Sequence, residues 1–160
     1  MPSVLFICTA NQFRSPFAAA CLLDAIQAEH PTGVWIVESA GTWTKAGMPT
    51  PELSRQIAIG LGLKGLERHQ TRQVDRGLLS QFDLIIVMEA GHKEALCIEF
   101  PFIKKRVYML SEIVEGIQYD IPDPAAPDVD PNEVAQELIT LINKGVNKII
   151  HLAESLFSKP

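Results

Sequence analysis

The run Val4-Leu5-Phe6-Ile7, together with the residues after it as far as Ser15-Pro16, limits the folds open to this chain more than any other stretch. Consecutive apolar residues without polar alternation describe a strand buried on both faces. Ser15-Pro16 reads as a helix start, with a hydroxyl N-cap and Pro at the first helical position. A strand buried on both faces and followed at once by a helix belongs in a parallel sheet with helices on either side. Between strand and helix lies a tight loop that opens with Cys8 and closes with Arg14. Such a loop turns successive backbone N–H groups inward, and the helix adds the positive end of its dipole. An anion held there meets a thiol at one edge and a guanidinium at the other. The stretch therefore reads as a phosphate site with a nucleophile in it.

Each residue type suits that chemistry for its own reason. A phosphate monoester dianion repels ordinary nucleophiles, so the attacker should be soft and ionised at neutral pH. A thiol meets this demand when cations and a helix N-terminus pull its pKa below the free value of about 8.5. The Ser15 hydroxyl can donate to a thiolate and ease its later departure. The planar fork of Arg14 can grip two phosphoryl oxygens and follow them as they flatten, which an ammonium could not.

Cys8, five intervening residues and Arg14-Ser15-Pro16, placed after Val4-Leu5-Phe6-Ile7, resemble the signature of the low-molecular-weight protein tyrosine phosphatases. The likeness continues in chain order through Glu38-Ser39-Ala40-Gly41-Thr42, His69, Arg72-Gln73-Val74, Asp83-Leu84-Ile85-Ile86-Val87-Met88 and Ile121-Pro122-Asp123-Pro124. The resemblance implies a phosphate-binding loop of Cys8, Thr9, Ala10, Asn11, Gln12, Phe13, Arg14 and Ser15. It implies Cys8 as nucleophile, Arg14 as phosphate grip and Asp123 as general acid. It makes Ser39 and His69 supports of Asn11, itself suited to a positive φ. It makes Trp43 an aromatic pocket wall beside Gln12 and Ala125. It implies strand order 2-1-3-4, no cofactor and no metal. The expected partners are a phosphorylated protein, above all one bearing phosphotyrosine, and inorganic phosphate or vanadate as competitors.

A length of 160 residues with 47% hydrophobic composition suits one domain spanning 1–160. The formal net charge of -5 and the lack of a basic block argue against a nucleic-acid partner. The apolar runs are too short for membrane insertion, and Met1-Pro2-Ser3 leaves no room for a signal peptide before the strand. Three scattered cysteines form neither a disulfide framework nor a zinc knuckle, and a reducing, cytoplasmic setting is expected. Cys21, on a helix over Phe17 to Glu29, and Cys97, near the end of a helix over Ala90 to Glu99, read as small packed hydrophobes.

The remaining pattern is a strand over Val34 to Ser39, a helix over Pro51 to Leu63 and a short helix over Asp75 to Gln81. Strands over Leu84 to Met88 and Lys105 to Leu110 come next, then a long helix over Val134 to Phe157 with a break at Gly145. Together these give a four-stranded parallel sheet with helices on both faces. Asp130-Pro131-Asn132-Glu133 reads as an N-cap, Pro at N1 and a capping-box Glu, while Asp120 and Asp128 read as solvated.

Three departures from the family pattern bear on redox behaviour and substrate. Phe13 stands where a second Cys is usual, Gln12 where an apolar residue or Thr is usual, and Ala125-Ala126 where an aromatic pair is usual. Two other functions fit the same skeleton. A thiol-linked arsenate reductase would need Cys97 or an external thiol, and a non-catalytic phosphate-binding domain would not need Asp123.

Overall fold

The computed structural model describes residues 1–158. Four parallel strands form the sheet: β1 (Ser3–Cys8), β2 (Ile36–Gly41), β3 (Leu84–Val87) and β4 (Val107–Met109), in the order β2-β1-β3-β4. β1 therefore lies inside, pairing Cys8 with Gly41 on one side and Ile7 with Val87 on the other. Its alternate side chains enter two cores. Val4, Phe6 and Cys8 face α1 (Arg14–Glu29), α5 (Leu110–Glu115) and α6 (Pro131–Phe157). Leu5 and Ile7 face α3 (Arg76–Leu79) and the region of α4 (Ala90–Glu99). A strand with two buried faces leaves no place for alternation, which is why Val4 to Ile7 is uniformly apolar.

Several boundaries differ from those predicted, each for a local reason. α1 starts at Arg14 instead of Phe17, with Phe13 at the N-cap making no side-chain bond. Ser15 is thus no N-cap and Pro16 not the first helical residue. Pro16 is tolerated because the first turn has no intrahelical acceptors to lose, and Phe17 N–H is the one that closes onto Phe13 O, at 3.0 Å. The Ser15 hydroxyl is left to bond within the loop, to Asn11 and Cys8. β2 begins two residues later than expected and runs on to Gly41, leaving Val34 outside the sheet and exposed. α2 (Glu52–Gly60) stops before the turn in which Gly62 takes φ 73°. α3 is capped by Asp75, whose Oδ1 accepts Leu78 N–H at 2.7 Å, so Asp75 and Ser80-Gln81 fall outside it. β3 ends at Val87. β4 is shortened by a 3-10 run, Pro101–Arg106, held where Arg106 donates to the carbonyls of Leu79 and Phe82.

α6 is continuous through Gly145. The glycine serves close packing there: a Cβ at Gly145 would lie 2.4 Å from Val114 Cγ2 of α5. Asp130 caps this helix, accepting from Asn132 N–H at 2.9 Å with Pro131 next to it. A reciprocal bond from Glu133 is absent among the described residues, so there is no capping box.

Candidate active site

The loop after β1 lies at the carboxyl edge of the sheet, where open parallel sheets offer ligands a crevice. Its shape depends on Asn11, the one non-glycine residue with positive φ among the described residues, at 59° and fully buried. Asn and Asp tolerate this conformation best because a short polar side chain can bond locally. Asn11 Oδ1 accepts Arg72 N–H at 2.9 Å, which fixes the orientation of the amide. Nδ2 then donates to Ser39 Oγ at 2.9 Å and to Ser15 Oγ at 2.8 Å. The Asn11 carbonyl accepts from His69 Nε2 at 2.7 Å, so the proton of that ring sits on Nε2. Burial lowers the His69 pKa first, opposed by this bond and aided by the Arg72 charge.

Gly41 lets β2 approach the loop. A Cβ there would stand 2.5 Å from the Thr9 carbonyl. Thr42 and Trp43 then carry the ladder onward, donating to the carbonyls of Cys8 and Thr9. Among the described residues, the N–H groups of Thr9 to Phe13 meet no protein acceptor, which leaves them free for an anion.

Cys8 Sγ lies 3.0 Å from Ser15 Oγ. Because Asn11 already donates to that oxygen, the Ser15 proton can point to Sγ, with the Ala40 carbonyl at 3.3 Å as its other acceptor. Arg14, 2% exposed, is held by Glu89 Oε2 at 2.6 Å and the Ile121 carbonyl at 2.9 Å, both through Nη1. Its Nη2 lies 3.8 Å from Asp123 Oδ2. Asp123 Oδ1 accepts Ala125 N–H at 2.9 Å in an Asx-type turn, leaving Oδ2 for the cavity. This cavity, about 240 Å³, is lined by Cys8, Arg14 and Asp123 with apolar walls from Phe13, Leu53 and Pro124.

Gln12 and Ala125 line the cavity, whereas Trp43 does not: it is 83% exposed, and Pro51, Leu53 and Pro131 supply the wall expected of it. Phe13 stacks on Phe17 with centroids 4.4 Å apart, so the residue replacing the usual second Cys ties the loop to the core. Cys21 is buried, its thiol pushed up to about 12 by burial and then by Asp24. Cys97 lines a separate depression with Lys93 and Glu94.

Glu89, His92 and Asp120 carry no motif, and the sequence offers a single clue to them: Glu89 follows β3 at the edge where ligands bind. His92 on α4 is buried, with Nε2 2.9 Å from Thr9 Oγ1 and 3.4 Å from Glu89 Oε2. Its Nδ1 is buried without a partner among the described residues. Burial is the main cause of its lowered pKa, with Glu89 opposing. Asp120 is not simply solvated, since it accepts Ala90 N–H at 2.8 Å and so satisfies the start of α4. No group of side chains among the described residues is arranged to hold a metal ion.

A thiol backed by a hydroxyl, a buried guanidinium and a carboxylate around one anion-binding loop define a cysteine-dependent phosphatase class of α/β protein. The family model for low molecular weight phosphotyrosine protein phosphatase matches residues 3–158, and the chain belongs to that family. It is 32% identical to a protein-arginine-phosphatase of Geobacillus stearothermophilus over 148 residues, covering 91% of this chain and 95% of the relative. It is 34% identical to the low molecular weight protein-tyrosine-phosphatase Wzb of Escherichia coli K12 over 122 residues, 76% of this chain and 77% of the relative. Among solved structures, the YwlE arginine phosphatase from Geobacillus stearothermophilus superposes with TM-score 0.83 at 27% identity, covering 100% and 99% of the two chains. Vibrio vulnificus Wzb in complex with benzylphosphonate gives 0.75 at 28% identity, covering 94% and 97%.

Proposed function

We propose that the chain is a single catalytic domain that hydrolyses phosphotyrosine in proteins through a cysteinyl-phosphate. The observation that carries this is the convergence of Cys8, Arg14 and Asp123 on one cavity, although Asp123 reaches it from a distant loop. The Cys8 thiolate attacks phosphorus in line, the S–P bond forms and the P–O bond to tyrosine breaks. Asp123 Oδ2 gives its proton to the departing phenolate. In the second step Asp123 takes a proton from water, the water oxygen attacks phosphorus, and the S–P bond breaks to return thiolate and phosphate. Arg14 and the free loop N–H groups hold the equatorial oxygens as charge shifts. Ser15 supports the thiolate as nucleophile and as leaving group.

The apolar walls of Phe13, Leu53 and Pro124 favour an aryl ester, and the likeness to a solved structure in complex with benzylphosphonate agrees with that. Asp123 is the sole carboxylate lining the cavity among the described residues, and the neighbouring Glu89 is taken by Arg14, so a phosphoguanidinium finds no anion to pair with beyond the catalytic acid. Inorganic phosphate and vanadate should compete for the loop. A thiol nucleophile suits a reducing, cytoplasmic compartment. No helix among the described residues is long and apolar enough to cross a membrane.

Two variants test this reading. Cys8→Ser should abolish turnover while keeping the fold and phosphate binding. Asp123→Ala should slow phenyl phosphate by about 10²–10⁴-fold and a nitrophenyl ester much less, because a good leaving group departs without a proton. Turnover of phosphoarginine peptides above that of phosphotyrosine peptides would reverse the substrate assignment. Near-normal hydrolysis by Cys8→Ser would end the mechanism.

A further inference from the structure

A second cavity, of about 390 Å³, lies behind the phosphate loop, between α1, the edge strand β2 and the segment that follows α2. Its floor is apolar: Ala19 and Ala20 of α1, with Leu23, Val37 and Leu66 around them. The small side chains of the two alanines create the depression. Its rim is charged, with Lys64, Arg68 and Arg72 set against one carboxylate, Glu38. Glu38 is taken by Arg72, whereas Lys64 and Arg68 have no ion-pair partner among the described residues. Glu67, also nearby in sequence, turns back to accept Gly65 N–H. On a chain of net charge -5 this is a local excess of positive charge over an apolar floor.

The walls of this cavity are also the supports of the active site. Ser39, His69 and Arg72 line it, and the same three residues hold Asn11 through its Nδ2, its carbonyl and its Oδ1. Asn11 in turn orients Ser15 toward Cys8. A ligand seated here would touch no catalytic atom, yet it would bear on the three residues outside the loop, Ser39, His69 and Arg72, that hold Asn11.

We infer that this rear cavity is an effector site for a small organic dianion with a flat apolar body, which stiffens the anchors of Asn11 and so tightens phosphate binding at Cys8. The flat body covers Ala19, Ala20 and Leu66, and the anionic ends meet Lys64 and Arg68, leaving Arg72 with Glu38. Coupling of this kind is reciprocal: the effector and phosphate must each strengthen the other's binding by the same factor. The inference concerns binding equilibria at the loop and stands whether the substrate is a phosphotyrosine or another phosphoryl group.

Naphthalene dicarboxylate serves as the probe, titrated by calorimetry at moderate ionic strength into the full chain and into Lys64→Glu/Arg68→Glu. A ligand of this size at ordinary efficiency has a Kd on the order of 0.1–1 mM. The double variant should weaken binding about tenfold or more, as expected when two favourable charge contacts become repulsive. Its turnover without probe should equal that of the parent chain, since neither residue touches the catalytic cavity. With probe present, phosphate should bind severalfold more tightly, and the probe likewise with phosphate present. Equal probe binding by parent and double variant would overturn the site. Displacement of the probe by phosphate would place it at Cys8 and overturn it too. Probe binding that leaves phosphate affinity unchanged would refute the coupling. Loss of turnover in Cys8→Ser is measured separately, so failure here is distinguishable from failure of the phosphatase mechanism.

Discussion

Asn11→Ala should damage the protein twice, once in stability and once in catalysis. The substitution removes three side-chain hydrogen bonds, to Ser15, Ser39 and Arg72, from a fully buried site. At roughly 0.5–1.5 kcal/mol each they amount to about 3 kcal/mol. Alanine must also keep a φ near 59°, which costs about 1–2 kcal/mol without a side chain that bonds locally. A loss of about 4–5 kcal/mol is a large share of the total stability of a domain. At roughly 2–4 °C per kcal/mol for a chain of this size, thermal unfolding should move down by about 8–20 °C. Catalysis suffers because Ser15, freed from Asn11, can turn its proton to the Ala40 carbonyl and leave Cys8 Sγ without a donor. Loss of one such preorganised donor is worth on the order of 10² in kcat. Circular dichroism melting and steady-state turnover of an aryl phosphate, measured well below the lowered Tm, separate the two effects. Asn11→Gly relieves the φ cost but not the lost bonds, and should recover only about 1 kcal/mol. An Asn11→Ala protein melting within about 2 °C of the parent, with kcat within about threefold, would refute the reasoning.

Oxidation offers a second check. Cys8 sulfenate has no thiol beside it, because Phe13 fills the neighbouring position, Cys21 is buried and Cys97 lines another depression. Peroxide inactivation should therefore resist dithiothreitol, with mass spectrometry finding sulfinate at Cys8, and Phe13→Cys should restore reversibility at some cost in stability. Full recovery of the parent, with a mapped Cys8–Cys97 bond, would favour the reductase alternative. Gly145→Ala should destabilise by about 0–2 kcal/mol, the clash with Val114 outweighing roughly 1 kcal/mol of helix propensity. Combined with Val114→Ala in chemical denaturation, it should show positive coupling, and a raised Tm for Gly145→Ala alone would contradict the packing. Acidification tests His92, which faces Glu89, Arg14, Asp120 and Asp123. Its folded pKa is lowered from 6.5, so the unfolded chain binds the extra proton first. Stability present above pH 6.5 should fall as pH drops through and below that value, with His69 contributing in the same sense. Melting curves for His92→Gln should be flatter over this range, and an unchanged slope would rule His92 out.

The sequence makes some of this visible and hides the rest on physical grounds. β1 and β3 are legible because doubly buried strands leave no room for polar residues. The helix over Ala90 to Glu99 is legible to the residue. The start of α1 is not, because Ser15 and Pro16 look like a cap while the hydroxyl is in fact drawn into the site by Asn11. Gly145 looks like a breaker, since sequence cannot tell a glycine chosen for flexibility from one chosen for the proximity of Val114. Cys8, Arg14 and Asp123 stand out through motif and order. Glu89, His92 and Asp120 do not, since their placement arises from the carboxyl edge of the sheet and not from local pattern. Trp43 illustrates the converse: its type suggests a wall, but in the segment after β2 its side chain is left to solvent.

The stack of Phe13 on Phe17 has a consequence for the birth of the protein. Both rings belong to the core that α6 completes with Val134, Leu138, Ile142 and Val146. Synthesis therefore delivers Cys8 well before α6, the helix that completes the core beneath it. Until α6 docks, the loop hangs from a half-built core and Asp123, just ahead of that helix, has no fixed place opposite Arg14. A nascent chain should thus carry the Cys8 thiol unarmed until α6 docks, and competence should arrive abruptly with that helix, at the pace of long-range packing rather than of local loop closure.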